Sequence, residues 1–115
     1  MNWIEITDAG IIGDIKLESE QHPDKLFVIF KHSTRCATSR MAKNLFESEW
    51  NIPYPVHLVN VVESRMVSNS ISSAFMVQHE SPQVLVIKKG KSIYDNSHSY
   101  INATEIQRLI TSQPS

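Results

Sequence analysis

The chain of 115 residues has one cysteine, three glycines and no charge excess of either sign, and each shortage removes a class of function. One cysteine closes no disulfide within the chain, and it suits a reducing cytosol better than an oxidising compartment. The five histidines, His22, His32, His57, His79 and His98, stand singly, so no zinc-ligand spacing exists and no metal site is expected. Three scattered glycines leave no phosphate-cradling loop, and no Ser-His-Asp order stands out. Lys and Arg number 11 against 12 Asp and Glu, a balance that argues against nucleic acid or an anionic membrane as partner. No apolar run approaches the roughly 18 residues of a membrane span. The opening Met1-Asn2-Trp3-Ile4-Glu5 has no basic then apolar leader. The expectation is a soluble cytoplasmic protein.

What is present fits one domain over 1–115 with 41% hydrophobic residues, enough to build a core without staples. Strands are predicted over 3–6, 26–30, 56–61, 84–87 and 92–95. The five continuous apolar residues of 26–30 suit a strand buried on both faces. Thr7 or Asp8 can cap a first helix with Ile11, Ile12 and Ile15 on one face. After Cys36 the period changes to helical, and Ala37, Met41, Ala42, Leu45 and Phe46 form its apolar stripe. A serine-rich helix starting near Glu63 or Ser64 buries Val67, Ile71, Ala74 and Phe75. Lys89-Gly90-Lys91 is a hairpin turn, and 96–99 reads as a polar loop. Asn102 caps a last helix with Glu105 as its reciprocal partner, and Ile106, Leu109 and Ile110 face inward. Residues 111–115 read as frayed. The order β-α-β-α-β-α-β-β-α combines right-handed parallel crossovers with a closing antiparallel hairpin. With a cysteine after a central strand and a proline opening a later one, it is a thioredoxin-like α/β arrangement, a central mixed sheet flanked by helices.

Three positions could carry chemistry. Cys36 is either a small buried apolar residue or a reactive thiol. Its place at a helix start, beside Arg35 and within the polar Ser33-Thr34 and Thr38-Ser39, favours a thiolate with depressed pKa. Ser39 lies at i+3, on the same helical face, where a dithiol enzyme would keep a second cysteine. Its hydroxyl can donate to a thiolate but forms no disulfide, or it is simply a helix-surface serine. Any disulfide on Cys36 is therefore a mixed one with another molecule. Pro82 is either a strand-opening proline or the second half of a cis Ser81-Pro82 bond facing the thiol. In that geometry Ser81 would offer its backbone to an extended substrate. Thr34 and Arg35 join Ser39 as candidate thiolate-stabilising residues, with Arg35 either solvated or a recognition group for a carboxylate-bearing thiol. His57 reads as a core histidine, and His32 and His79 as loop residues flanking the site.

The runs Phe30-Lys31-His32-Ser33-Thr34-Arg35-Cys36 and His79-Glu80-Ser81-Pro82-Gln83, the latter followed by Val84-Leu85-Val86-Ile87-Lys88-Lys89-Gly90, closely resemble the monothiol bacilliredoxin family of the bacillithiol system. So do the Asn2-Trp3-Ile4 opening and Tyr94-Asp95-Asn96-Ser97-His98. Ala37 departs from the family's pattern directly after the cysteine. The resemblance implies a thioredoxin-like fold and a single redox-active cysteine at Cys36. It implies bacillithiol as a low-molecular-weight co-substrate, no tightly bound cofactor, and S-bacillithiolated proteins as partners; a monomer is expected. Two alternatives stay open: a monothiol glutaredoxin-like protein using glutathione, and a thioredoxin-like sensor that never turns over.

Overall fold

The computed structural model describes residues 1–113. Its first strand β1 (Trp3–Glu5) is followed by α1 (Gly10–Gln21), β2 (Phe27–His32), α2 (Ala37–Glu49), β3 (Val56–Asn60) and α3 (Arg65–Phe75). Then come β4 (Gln83–Lys88), β5 (Lys91–Ser97), a 3₁₀ turn (His98–Tyr100) and α4 (Ala103–Thr111). The strands form one sheet in the order β1-β3-β2-β4-β5. β3 runs parallel to both β1 and β2, whereas β4 is antiparallel to β2 and to β5. Because β2 and β4 run oppositely, the C-terminal end of β2 and the N-terminal end of β4 share one edge of the molecule, with Lys31 opposite Gln83.

Every residue of β2 is buried, as a strand with helices over both faces requires. Alternate side chains feed two cores. Phe27 and Ile29, with Leu85 and Ile87 of β4, pack under Ile12 and Ile15 of α1 and Val67, Ile71 and Phe75 of α3. Val28 and Phe30, with Val84 and Val86, pack under Phe46 of α2 and Ile106 of α4. Phe30 meets Phe46 edge to face at 5.1 Å, and Phe46 stacks on Trp50 at 5.0 Å. Each such buried side chain contributes about 2 kcal/mol by removing apolar surface from water, and this anchors α2 against the central strand.

Local chemistry sets the ends. Asp8 Oδ1 accepts the Gly10 N–H at 2.9 Å, and Asn102 Oδ1 accepts the Glu105 N–H at 3.1 Å. The reciprocal half of that capping pair is missing: the Glu105 carboxylate instead accepts the Tyr94 hydroxyl at 2.9 Å. Lys89 and Gly90 both have positive φ, 54° and 75°, the pair that a tight hairpin needs. The Gly90 N–H donates to the buried Ser19 hydroxyl at 2.8 Å, and an added Cβ there would lie 2.6 Å from Glu20.

Three expectations need correction. Met41 and Leu45 do not face the core; they are 72% and 58% exposed, while Phe46 is buried and Ala42 packs partly against the same cluster. The loop expected at 96–99 begins two residues later, because Asn96 pairs with Val84 and Ser97 with Gln83. α4 stays helical through Thr111 and Ser112 caps it, Gln113 Oε1 accepts the Lys88 ammonium at 2.6 Å, and residues 114–115 of the expected frayed end lie outside the described residues.

Candidate active site at a single thiol

β2 ends at His32, and the three residues Ser33 to Arg35 lead to Cys36, whose extended φ and ψ of −112° and 121° place it as the residue capping α2. The thiol is half-buried. It makes no strict capping hydrogen bond as a neutral group, yet the groups around it favour its thiolate. The Ser39 N–H is the largest influence lowering its pKa; burial acts the other way; the Thr38 N–H and hydroxyl, and the charge of Arg40, lower it further. These are the unsatisfied first-turn donors that every helix presents at its start. A thiolate held this way attacks disulfides at a pH where an ordinary thiol stays protonated.

Ser39 contributes through its backbone rather than its side chain. Its hydroxyl is fully buried, accepts the Ser33 N–H at 2.9 Å and lies 2.8 Å from His32 Nδ1. The oxygen accepts from Ser33 and pairs with His32 Nδ1, and which of the two donates in that second contact follows the imidazole tautomer. Burial, then the charges of Lys43 and Arg40, hold the His32 pKa below its usual value, which favours the neutral imidazole. The contact staples the first turn of α2 to the end of β2.

Neither Thr34 nor Arg35 is among the groups that shift the Cys36 pKa. Both are exposed. The Thr34 carbonyl accepts Arg40 at 2.9 Å, and its hydroxyl oxygen accepts Asn60 Nδ2 at 3.4 Å. The charge acting on Cys36 is that of Arg40, one helical turn on, rather than that of Arg35. Arg40 is the residue that the sequence pattern left unmarked, although its i+4 offset from the cysteine points to it; Thr38 sits at the second helical position, whose N–H a capping side chain meets.

Across the same edge, the Ser81-Pro82 peptide is cis and leads directly into β4. The ladder between β2 and β4 stops at Lys31 and Gln83, so Ser81 has no strand partner. The Pro82 carbonyl accepts the His98 N–H at 3.0 Å. His98 and Thr38 both line an open groove of about 490 Å³, with Met41, Ala42, Leu45 and Ile101 along it. This groove is where the two exposed apolar residues of α2 sit. The groove thus runs from Thr38, in the first turn after Cys36, to His98, whose N–H is held by Pro82. Among the described residues, no three His, Cys, Asp or Glu side chains converge as metal ligands, and no helix is long and apolar enough to cross a membrane.

Comparison with known proteins agrees with this picture. The family model described as monothiol bacilliredoxin BrxC matches residues 6–106. Among solved structures, a protein described by its thioredoxin fold superposes with a TM-score of 0.70 at 22% identity, over 93% of this chain and 92% of the other. The thioredoxin NaTrxh from Nicotiana alata gives a TM-score of 0.68 at 18% identity over 99% and 94%. The thioredoxin of Malassezia sympodialis gives 0.65 at 19% over 98% and 90%. At these identities the structural likeness establishes the fold, which is the thioredoxin fold.

Proposed function

Because the chain belongs to the monothiol bacilliredoxin family, we propose that it removes bacillithiol from protein mixed disulfides, with Cys36 as the only covalent participant. Family and fold support thiol oxidoreductase chemistry; the choice of bacillithiol is our reading. The observation that carries it is the pairing of a thiolate-favouring helix start at Cys36 with a serine, not a cysteine, one turn on.

The exchange has two displacements. The Cys36 thiolate attacks the bacillithiol sulfur of the mixed disulfide. A Cys36–bacillithiol disulfide forms, the disulfide bond between bacillithiol and the target's sulfur breaks, and the target leaves as a thiolate that takes a proton from water. A second low-molecular-weight thiolate then attacks the bacillithiol sulfur held on Cys36. That step forms a small-molecule disulfide and returns Cys36 as a thiolate. The N–H groups of Thr38 and Ser39 hold the charge on Cys36 before attack and again after release. Ser81 and Pro82 form the wall on which the target's extended segment rests, and exposed Arg35 faces the carboxylates of the small thiol. The reaction belongs in a reducing cytoplasm, carried out by a monomeric thioredoxin-like domain spanning 1–115.

Intact mass spectrometry after exposure to a bacillithiolated protein tests this, with Cys36→Ser as control. Wild type gains one bacillithiol and the control none. A wild type that gains no adduct, or that gains glutathione in preference, sinks the reading. A wild type that takes up bacillithiol and never passes it to a second thiol is a sensor instead.

A further inference from the structure

Lys31 is the one buried charge in the central strand. It is 0% exposed, and placing an ammonium there costs free energy unless a partner compensates. Its Nζ lies 2.7 Å from Nδ1 of His79, and the Ser68 hydroxyl lies 3.3 Å from the same nitrogen. An ammonium has no lone pair, so His79 must accept through Nδ1 and keep its proton on Nε2. The acceptor chosen for this buried charge belongs neither to the sheet nor to a helix. It sits on an exposed loop residue, three positions before Pro82.

That loop is tied down at nearly every position. Gln83 Nε2 donates to the Gln78 carbonyl at 3.1 Å. Lys31 reaches His79. His98 Nε2 lies 3.5 Å from the Glu80 carboxylate, and the His98 N–H donates to the Pro82 carbonyl at 3.0 Å. Ser81 is skipped: its hydroxyl is buried without a partner among the described residues, and its backbone lies just past the end of the ladder. The ties bracket one residue and leave its main chain unpaired.

We propose that Lys31 and His79 are positioning residues for substrate binding, in which the buried ammonium seats His79 and thereby holds the Ser81 backbone extended for pairing with the substrate chain. This rests on the reading of Ser81 and Pro82 as the substrate wall. The role is separate from the thiol, since neither residue is among the groups that shift Cys36.

The test uses a peptide whose cysteine carries thionitrobenzoate as a mixed disulfide, and the symmetric aromatic disulfide as a small probe. In both, a bond forms to Cys36 and the coloured aromatic thiolate leaves. Single-turnover rates against peptide concentration give a half-saturation constant and a limiting rate. His79→Ala, at an exposed position, raises the half-saturation constant about tenfold, the size of one charge-assisted hydrogen bond. Its limiting rate and its rate with the small probe stay within about twofold of wild type. His79→Asn, which restores an acceptor near the Nδ1 position, recovers peptide binding. Lys31→Met repeats the His79→Ala defect while unfolding no more easily than wild type. An unchanged half-saturation constant in His79→Ala, no recovery in His79→Asn, or an equal loss with the small probe overturns the inference. So does a wild type that shows no saturation with the peptide. Because the probe contains no bacillithiol, a failure of bacillithiol uptake leaves this comparison intact.

Discussion

Ser39 Oγ lies 2.8 Å from His32 Nδ1 and receives the Ser33 N–H at 2.9 Å, so the side chain standing one helical turn after the thiol works as a structural bridge. Its removal and its replacement by sulfur have separable effects. Ser39→Ala leaves a buried imidazole nitrogen and an N–H without partners, which costs about 1–3 kcal/mol. The Ser39 N–H stays in place, so the Cys36 pKa stays low. Ser39→Cys puts a second sulfur on the same face, and an internal disulfide replaces the persistent mixed one. Denaturant titration and thiolate ultraviolet absorbance read the first variant; intact mass reads the second. A Ser39→Ala thiol that titrates as an ordinary cysteine would show that the hydroxyl, not the N–H, governs the charge.

The electrostatics of the thiol make a ranked prediction. The exchange rate with a small disulfide rises with pH through the Cys36 pKa and levels off above it, because the thiolate is the nucleophile. That rise occurs below the range of a free cysteine, since the Ser39 N–H, then the Thr38 groups and the Arg40 charge, favour the ionised form over the opposing effect of burial. Thr38→Ala and Arg40→Gln each move the profile towards higher pH. Arg35→Gln leaves its midpoint in place, as its charge is not among those acting on the thiol. Stopped-flow rates across the pH range decide it, and an Arg35→Gln shift as large as that of Arg40→Gln would reverse the assignment.

The sequence exposes most of this architecture because its signals are local. The apolar run Leu26 to Phe30, the change to helical period after Cys36 and the Lys89-Gly90 turn each follow from spacing and turn chemistry. The Cys36 and Pro82 positions follow from the same pattern. What the sequence does not expose depends on neighbours far along the chain. The pairing of Asn96 with Val84 extends β5 through residues whose composition reads as loop. Lys31 reads as the charged boundary of a strand, yet it is buried, because its acceptor His79 arrives 48 positions later. The Ser39 hydroxyl reads in sequence as free for the thiol, yet it is engaged by His32 and Ser33.

The split helical stripe of α2 gives a paired prediction about stability. Met41, Leu45 and Phe46 look alike by period, but Leu45 is 58% exposed and Phe46 is 2% exposed. Leu45→Glu therefore changes unfolding free energy by no more than about 0.5 kcal/mol, as surface substitutions do. Phe46→Ala loses its contacts with Phe30 and Trp50 and costs about 3–5 kcal/mol. Chemical denaturation of both variants checks the difference. Equal destabilisation would mean that Leu45 packs inward after all.

Lys31 links the buried sheet to pH. Burial lowers its pKa from 10.5 to about 8, partly opposed by the nearby Glu80 carboxylate. Between about pH 8 and pH 10.5 the unfolded chain holds a proton that the folded one has released, so stability rises with pH across this window. Below about pH 8 both states are protonated and the folded state carries the full penalty of the buried charge. Lys31→Met has no such titration. The difference in unfolding free energy, wild type minus Lys31→Met, therefore grows in favour of wild type by up to about 3 kcal/mol as pH rises from neutral to about 10.5. The raised pKa values of Tyr54 and Tyr94, due to burial, and the lowered one of Cys36 are present in both proteins and cancel in the difference. Urea titrations of the two proteins at a series of pH values provide the measurement. A difference that stays flat across the window would show that the Lys31 amine titrates as it does in water.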